Sequence, residues 1–453
     1  MNLLEKFWNM SENNKIVVKN VFGAFSVKGL SLLVSLFTMP AYIRFFNDET
    51  ALGLWFTILS VLNWILNFDL GIGNGLRNNL TRTITQKNSE ETKKYLSSAY
   101  ISIGVLCIII SAVFTFVFKY INWNRVFNIK TETVSSEALL MTVKIVFIGI
   151  MLQLFTKIIT SVLYALQKSS VNNFLTLCSS VIILAAVSIL PPGDNNQNMV
   201  LMAIINSVAV IAPLLAATVI VFCFGTLKKA VPSFKYFTFK HAKDVLSLGS
   251  IFLLVQVEYM IIMSTNEYLI TLFVGNSAVV SYQIYYKLFS LGATIFSLAL
   301  TPIWSAVTKA FTEKNYIWIN KLYKRLVLLA ALGGIAELLL VPFLQIFVNI
   351  WLGNTAIKVN MLYGLAFAAL CTFMIFNSAF SSIANGVGEL KTQLIFFAFG
   401  AIIKFPLAWI MIKFSDSWIS VVWANTIALG LYCIIQPIWL KNYLKKKEEC
   451  SNV

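Results

Sequence analysis

The chain has 453 residues, of which 58% are hydrophobic and 12% are charged, and its mean hydropathy is +0.79. Soluble proteins average about 25% charged and about 45 to 50% apolar residues, and a soluble fold of this size has no interior large enough for the surplus. The composition therefore excludes a water-soluble globule and predicts a polytopic membrane protein. The net charge of +16 then reports on topology and gives no reason to expect a nucleic-acid partner.

Twelve apolar runs are long enough to cross a membrane, since a spanning helix needs about 20 residues. They lie near residues 20–43, 50–76, 96–118, 138–165, 171–190, 198–225, 246–274, 278–308, 326–348, 361–385, 392–412 and 418–440. The connections between them are too short to fold as independent domains. The sequence therefore predicts an all-α fold of twelve transmembrane helices and argues against a separate catalytic or nucleotide-binding domain.

Positive charges are distributed unequally between the two sides of these spans. The termini and the even-numbered connections carry 24 Lys and Arg residues, the odd-numbered connections carry 6, and 5 lie inside spans. Cytoplasmic segments of membrane proteins are enriched in Lys and Arg. Both termini are therefore expected in the cytoplasm.

The lengths of the connections repeat after six spans. The connections at about 77–95 and 309–325 are both long and basic. This pattern predicts two six-helix lobes that enter the membrane in the same sense, with a substrate path between them. The predicted boundaries are an N-terminal lobe at 1–225, a basic cytoplasmic linker at 226–245, and a C-terminal lobe at 246–453 that ends in a basic tail.

Six spans (one, two, four, seven, eight and ten) carry polar side chains along one side of the helix, and spans eight and two show it over the greatest length. In span eight they are Lys287, Ser290, Thr294, Ser297, Thr301, Ser305 and Thr308, and in span two they are Thr57, Ser60, Asn63, Asn67, Gly71, Asn74 and Asn78. In lipid, such groups turn toward protein or a water-filled cavity. We expect Asn63, Asn67, Ser290, Thr294 and Ser297 to line a substrate-binding cavity. The alternative is that these small polar residues only mediate helix packing.

Ionisable side chains inside spans are candidate functional groups, because each costs about 2.5 to 3.5 kcal/mol at the bilayer centre on insertion scales. Lys28 and Lys287 lie on polar sides of spans in opposite lobes and are predicted to hold an anionic substrate group such as phosphate. Lysine–glutamate pairing or snorkelling to the headgroups is the alternative. Glu267 and Asp69 are predicted to couple transport to a proton or ion. His241, in the basic linker, is expected to be solvated.

Four segments resemble the polysaccharide flippases of the multidrug/oligosaccharidyl-lipid/polysaccharide (MOP) exporter superfamily, the Wzx-like O-antigen and capsule transporters. The segments are Gly53-Leu-Trp55, Asp69-Leu-Gly-Ile-Gly-Asn-Gly-Leu-Arg77, Ser264-Thr-Asn266, and Pro302-Ile-Trp-Ser305 continuing through Lys309-Ala-Phe311. The span count and the connection lengths extend the likeness over essentially the whole chain. The resemblance implies a MATE-like, V-shaped pair of six-helix lobes.

The resemblance also implies a function. A flippase of this family moves an undecaprenyl-diphosphate-linked oligosaccharide from the cytoplasmic to the outer leaflet of the bacterial plasma (inner) membrane by alternating access. Coupling to a gradient of H+ or Na+ is expected, without any other cofactor. The expected partners are the lipid-linked glycan and membrane lipid, and association with other polysaccharide assembly proteins is left open.

Two other functions remain open on the sequence. A multidrug or cation antiporter of the related branch would favour acidic or apolar cavity walls, whereas cations predominate in these spans. An integral membrane glycosyltransferase or polymerase would be expected to carry an acidic motif at the membrane surface, and the sequence contains no Asp-X-Asp. We therefore expect a transporter and not an enzyme.

Overall fold

The computed structural model describes residues 12–67, 72–166, 168–225, 227–247, 250–312, 314–353, 357–415 and 417–451. All regular secondary structure within these ranges is helical. Ten stretches in this part of the chain are long and apolar enough to cross a membrane. The all-α prediction is confirmed, and the chain is a multi-pass membrane protein.

The predicted spans correspond to helices throughout the described ranges. The first half of the chain contains α1 (Glu12–Phe46), α2 (Glu49–Asn67), α3 (Ile72–Thr85), α4 (Ser89–Phe118), α5 (Trp123–Val126), α6 (Ser136–Thr156), α7 (Ile158–Ala165), α8 (Ser169–Ile189) and α9 (Asn195–Val219). The second half contains α10 (Phe239–Ser247), α11 (Ser250–Ser264), α12 (Asn266–Phe273), α13 (Asn276–Thr312), α14 (Tyr316–Leu340), α15 (Leu344–Leu352), α16 (Met361–Val387), α17 (Lys391–Ser415) and α18 (Ile419–Ser451). Three spans differ from their predictions because each consists of two helices: span four (α6 and α7), span seven (α11 and α12) and span nine (α14 and α15).

Polar residues in the connections begin several of these helices. Their side-chain oxygen atoms accept hydrogen bonds from the first free backbone amides, which have no partner within the helix. Asn88 caps α4, Ser135 caps α6, Asp194 caps α9, Asn315 caps α14 and Asn360 caps α16. The connections therefore mark where the spans start.

One compact unit contains α1, α3, α4 and α6–α10. In it, α1 packs on α8, and α9 packs on α6 and α8. Asn198 is buried at the start of α9, where its amide group donates to the carbonyl oxygens of Phe45 and Gly193 at 3.1 Å each and accepts from the Gly193 backbone amide at 3.1 Å. This side chain ties the end of α1 to the turn before α9.

The end of the predicted linker packs against α4 within the same unit. The hydroxyls of Ser97 and Ser98 accept from the backbone amides of Ser233 and Thr238 at 3.0 and 3.1 Å. His241 is buried, and its Nε2 lies 2.9 Å from a carboxylate oxygen of Glu91. The expectation that His241 is solvated is therefore wrong, because tertiary packing on α4 covers it.

The other compact unit contains α2, residues 124–133 and α11–α18. Within it, α13 packs on α16, α17 packs on α18, and α2 packs on α12 and α13. Aromatic side chains from α13, α16 and the turn before α18 cluster together: Tyr282, Tyr285, Phe289, Phe367 and Trp418. By its packing, α2 thus belongs with helices from the second half of the chain. The predicted lobe boundaries at 225 and 246 stay a prediction.

Candidate functional site

The candidate site is built around the interruption between α11 and α12. Thr265 separates the two helices, with φ −100° and ψ 0°. The side chains around it bond to the local backbone: Thr265 Oγ1 donates to the Ile261 carbonyl at 2.8 Å, and Asn266 Nδ2 donates to the Met263 carbonyl at 3.3 Å. Such local bonds compete with regular helix, and a helix end leaves carbonyl oxygens without intrahelical partners.

Side chains from α2 and α17 satisfy the carbonyl oxygens at this break. The Ser264 carbonyl accepts from Ser60 Oγ at 2.9 Å and from Trp64 Nε1 at 2.6 Å. Lys404 Nζ donates to the carbonyl oxygens of Ile261 and Ile262 and, at 2.7 Å, to Thr265 Oγ1. The break is therefore a polar junction between three helices in an otherwise apolar setting.

Glu267 lies in the first turn of α12 and is buried. One oxygen of its carboxyl group lies 2.9 Å from Ser60 Oγ, whose single proton is shared between this oxygen and the Ser264 carbonyl, and the other accepts from Gln283 Nε2 at 2.8 Å. The start of a helix also favours a negative charge. Among the described residues, Lys404 donates to the oxygen atoms of the break and not to this carboxylate, so neutral donors hold Glu267.

A second polar cluster extends from this site toward residues 124–133. Thr57 Oγ1 on α2 lies 2.6 Å from Thr271 Oγ1 on α12, and Thr271 Oγ1 lies 3.3 Å from Asn276 Oδ1. Asn276 Nδ2 donates at 3.0 Å to the carbonyls of Phe127 and Asn128. These bonds hold α2, α12 and the start of α13 in one arrangement.

The predicted substrate-binding residues on α13 lie along one face of that helix. Lys287, Ser290 and Thr294 are partly buried, and Ser297 is exposed. Asn63 on α2 is also exposed. The structure thus leaves hydroxyl and amide groups accessible on both helices.

Three of the predicted site residues, or their side chains, lie outside the part of the chain that the structure describes. Lys28 is on α1 and Asn67 ends α2, but their side chains are outside the described ones, and Asp69 lies outside the described residues. Lys28 and Lys287 belong to different compact units. Their roles stay predictions.

The sequence analysis did not select Ser60, Gln283, Thr265 or Lys404 for the site. Ser60 belongs to the polar side of span two, so its spacing could have identified it. The run Ser264-Thr-Asn266 inside an apolar span is the local signal for the break. Lys404 has no polar neighbours at helical spacing on α17, and its partners include backbone carbonyls of another helix. No local sequence pattern therefore marks it.

No protein-family model matches the sequence, and no curated protein matches it. Solved structures are similar in fold. A multidrug resistance MATE family transporter of the MOP superfamily in its inward-facing conformation aligns with a TM-score of 0.77 at 15% identity, over 95% of this chain and 99% of that one. The outward-facing conformation of such a transporter aligns with a TM-score of 0.65 at 16% identity, over 95% and 96%.

A third similar structure is a MOP superfamily transporter from Pyrococcus furiosus, described as having a binding pocket of reverse polarity that suggests a different function. It aligns with a TM-score of 0.63 at 16% identity, over 95% of this chain and 96% of that one. At these identities the likeness establishes the fold alone. The prediction of a MATE-like fold is confirmed.

Proposed function

We propose that the protein is a flippase that moves undecaprenyl-diphosphate-linked oligosaccharide units from the cytoplasmic to the outer leaflet of the bacterial plasma membrane. The observation that carries the proposal is the polar face of α13, on which Lys287 is followed by Ser290, Thr294 and Ser297. An ammonium group among hydroxyls in a spanning helix suits a substrate that carries both phosphate and sugar.

The chemistry of these side chains matches the two polar parts of such a substrate. The Lys287 ammonium is a compact point charge that can hold a phosphate oxygen. Hydroxyl groups on α13 and the amide of Asn63 on α2 can exchange hydrogen bonds with sugar hydroxyls. Lys28, on α1, is proposed as a second lysine for the diphosphate. The polyprenyl tail needs no polar site, since it is soluble in the bilayer.

The fold supports alternating access as the transport mechanism. Structures of similar fold are known in inward-facing and outward-facing conformations. A substrate site that opens to one side at a time would let the polar headgroup cross while remaining hydrated. The predominance of Lys and Arg in the even-numbered connections supports cytoplasmic termini.

Glu267 is the proposed coupling group, and Asp69 is proposed as a second. The buried carboxyl group of Glu267 is hydrogen-bonded to Ser60 and Gln283, which are both neutral. Protonation or ion binding at Glu267 would change the bonding between α2, α12 and α13. An ion gradient could therefore act on the packing of the helix that carries the proposed substrate site.

Drug or cation antiport is the second candidate, favoured by the multidrug resistance transporters among the structures of similar fold. A buried carboxylate such as Glu267 could also accept a cation. The two functions differ in what accumulates when the gene is deleted. A flippase mutant retains lipid-linked oligosaccharide, whereas an antiporter mutant gains drug sensitivity without such an intermediate.

Mass analysis of lipid extracts from a deletion strain tests the proposal. We expect lipid-linked oligosaccharide to accumulate and surface glycan to disappear, and the wild-type gene to reverse both. The double variant Lys28→Ala and Lys287→Ala should fail to reverse them while remaining in the membrane. Lys144→Ala is the matched control, because Lys144 is an exposed lysine on α6. Unchanged lipid intermediates in the deletion strain would reject the flippase function.

A further inference from the structure

We propose that the ammonium group of Lys404 occupies a monovalent-cation site formed by the break between α11 and α12. With the Lys404 ammonium in this position, the oxygen atoms of the break bind no free ion from solution. Occupancy of the break by Lys404 does not depend on which substrate the protein transports.

The oxygen atoms around Nζ have the arrangement of a cation site. The Ile262 carbonyl and the Thr265 hydroxyl, the latter at 2.7 Å, are its close partners, and the Ile261 carbonyl is a more distant one at 3.4 Å. An ammonium group has three donors and no acceptor, so three oxygen acceptors satisfy it completely. In membrane transporters, unwound carbonyls of discontinuous helices are typical ligands for Na+ or H+. Here the positive charge is attached covalently.

Close packing positions the lysine for this contact. Gly400 lies one turn before Lys404 on α17, and a Cβ at Gly400 would lie 2.6 Å from the Ala428 carbonyl oxygen and 3.0 Å from Ile262 Cδ1. The backbone of α17 therefore approaches both α18 and α11 closely at this level. Consequently the stem of Lys404 is fully enclosed, and its ammonium group reaches the break without exposure to solvent.

Because the Lys404 ammonium is buried, its hydrogen bonds matter more for the stability of the fold than those of a surface lysine. A buried charge is costly unless polar groups satisfy it, and buried carbonyls are costly unless they are hydrogen-bonded. Lys404 meets both requirements at once. If its charge is removed, the same oxygen atoms remain, together with a space of suitable polarity for a free cation.

The experiment compares the thermal unfolding midpoint of the purified full-length protein in NaCl and in N-methylglucamine chloride of equal ionic strength. Na+ should not stabilise wild-type protein through the break, so any difference between the two salts that arises at the proposed coupling carboxylates should persist in Thr265→Val. Lys404→Ala should lose about 5 °C or more, because oxygen atoms of the break become unsatisfied. Na+ should restore part of that loss saturably. Propylammonium, which replaces the deleted side-chain atoms, should do the same.

Matched variants separate the site from general effects. Lys144→Ala removes a lysine from another spanning helix and should respond to neither cation. Lys404→Met fills the space without a charge, so it should lose stability and gain nothing from Na+ or propylammonium. If the Lys404→Ala protein does not accumulate in the membrane, the unfolding midpoint of the Lys404→Met protein still tests the proposal.

Several results would overturn it. One is a Lys404→Met protein with the wild-type midpoint, because the carbonyls would then need no cation. Another is a Lys404→Ala protein whose loss neither cation reduces. A third is saturable Na+ stabilisation of the wild-type protein that Thr265→Val abolishes, since a free ion would then occupy the break.

Discussion

The α-carbon of Gly53 lies directly against the carbonyl oxygen of Asn276, so that a methyl group there would be 1.7 Å from that oxygen. Helix α2 and the start of α13 therefore approach as closely as two backbones can. One turn further along α2, Thr57 Oγ1 donates to the Gly53 carbonyl at 2.9 Å and contacts Thr271. The close approach thus helps to assemble the polar cluster beside the candidate site.

Gly53→Ala should force these two helices apart. Overpacking of a tight contact typically costs about 1 to 3 kcal/mol, so we expect a clearly lower thermal unfolding midpoint in detergent and reduced function in cells. Gly29→Ala is the matched control, because nothing lies within 4 Å of a Cβ at Gly29. Equal midpoints for the two variants would contradict the close packing of α2 on α13.

Glu267→Gln should preserve the fold but weaken coupling. Glutamine has the shape of glutamic acid and keeps an acceptor for Ser60, but it cannot gain or lose a proton. In the deletion strain, this variant should leave lipid-linked intermediates unexported or make export insensitive to collapse of the ion gradient. Lipid mass analysis with and without an ionophore measures both.

A second buried carboxylate provides the control for that experiment. Glu337 lies on α14 and is buried. Because it is not part of the break, Glu337→Gln should leave gradient dependence unchanged. Wild-type behaviour of Glu267→Gln under both conditions would remove Glu267 from the coupling mechanism.

Cysteine labelling tests the polar face of α13. In a background without the six native cysteines, Ser297→Cys should react quickly with a water-soluble thiol reagent and Ser290→Cys more slowly, following their exposure. Ile109→Cys, on an exposed apolar part of α4, is the lipid-facing control. If the three sites are equally unreactive in intact membranes, the α13 face does not line a hydrated cavity.

Asn198→Ala should destabilise the first compact unit. The substitution leaves the Phe45 and Gly193 carbonyls and the Gly193 amide without their side-chain partner. Phe45 is buried, and an orphaned buried acceptor costs about 1 to 3 kcal/mol, whereas water can bond to the exposed Gly193, so a lower unfolding midpoint is expected mainly from the Phe45 carbonyl. Gln197→Ala changes the exposed neighbour on the same helix and should have little effect. A small effect at Asn198 would mean that water replaces the lost bonds.

Hydropathy was sufficient to predict most of the fold. In lipid every backbone polar group must be hydrogen-bonded within the protein, and a helix does this within a single apolar segment. A long apolar run is therefore expected to be helical. The runs at 361–385 and 392–412, for example, fall within α16 and α17. The spacing of polar residues also identified the face of α13 that carries Ser290 and Ser297.

The interruption of span seven could not be predicted in the same way. An average over about 20 residues is insensitive to three polar ones, and the break depends on partners far away in sequence. Lys404 and Ser60 supply those partners from α17 and α2. The spacing of polar residues marks Ser60 on α2, but no such pattern marks Lys404 on α17. Because the acceptors of both side chains include backbone carbonyls, the sequence does not show which residues they contact.

The pairing of α2 with distant helices has a consequence for biosynthesis. Ser60 and its acceptor Ser264 are separated by 204 residues. At typical synthesis rates of about 5 to 20 residues per second, the ribosome needs about 10 to 40 seconds to make the intervening chain. During that interval Ser60 and Trp64 enter the bilayer before their permanent acceptor exists. Until α11 and α12 are inserted, the polar groups of Ser60 and Trp64 need temporary hydrogen-bond partners, such as lipid headgroups or the insertion machinery.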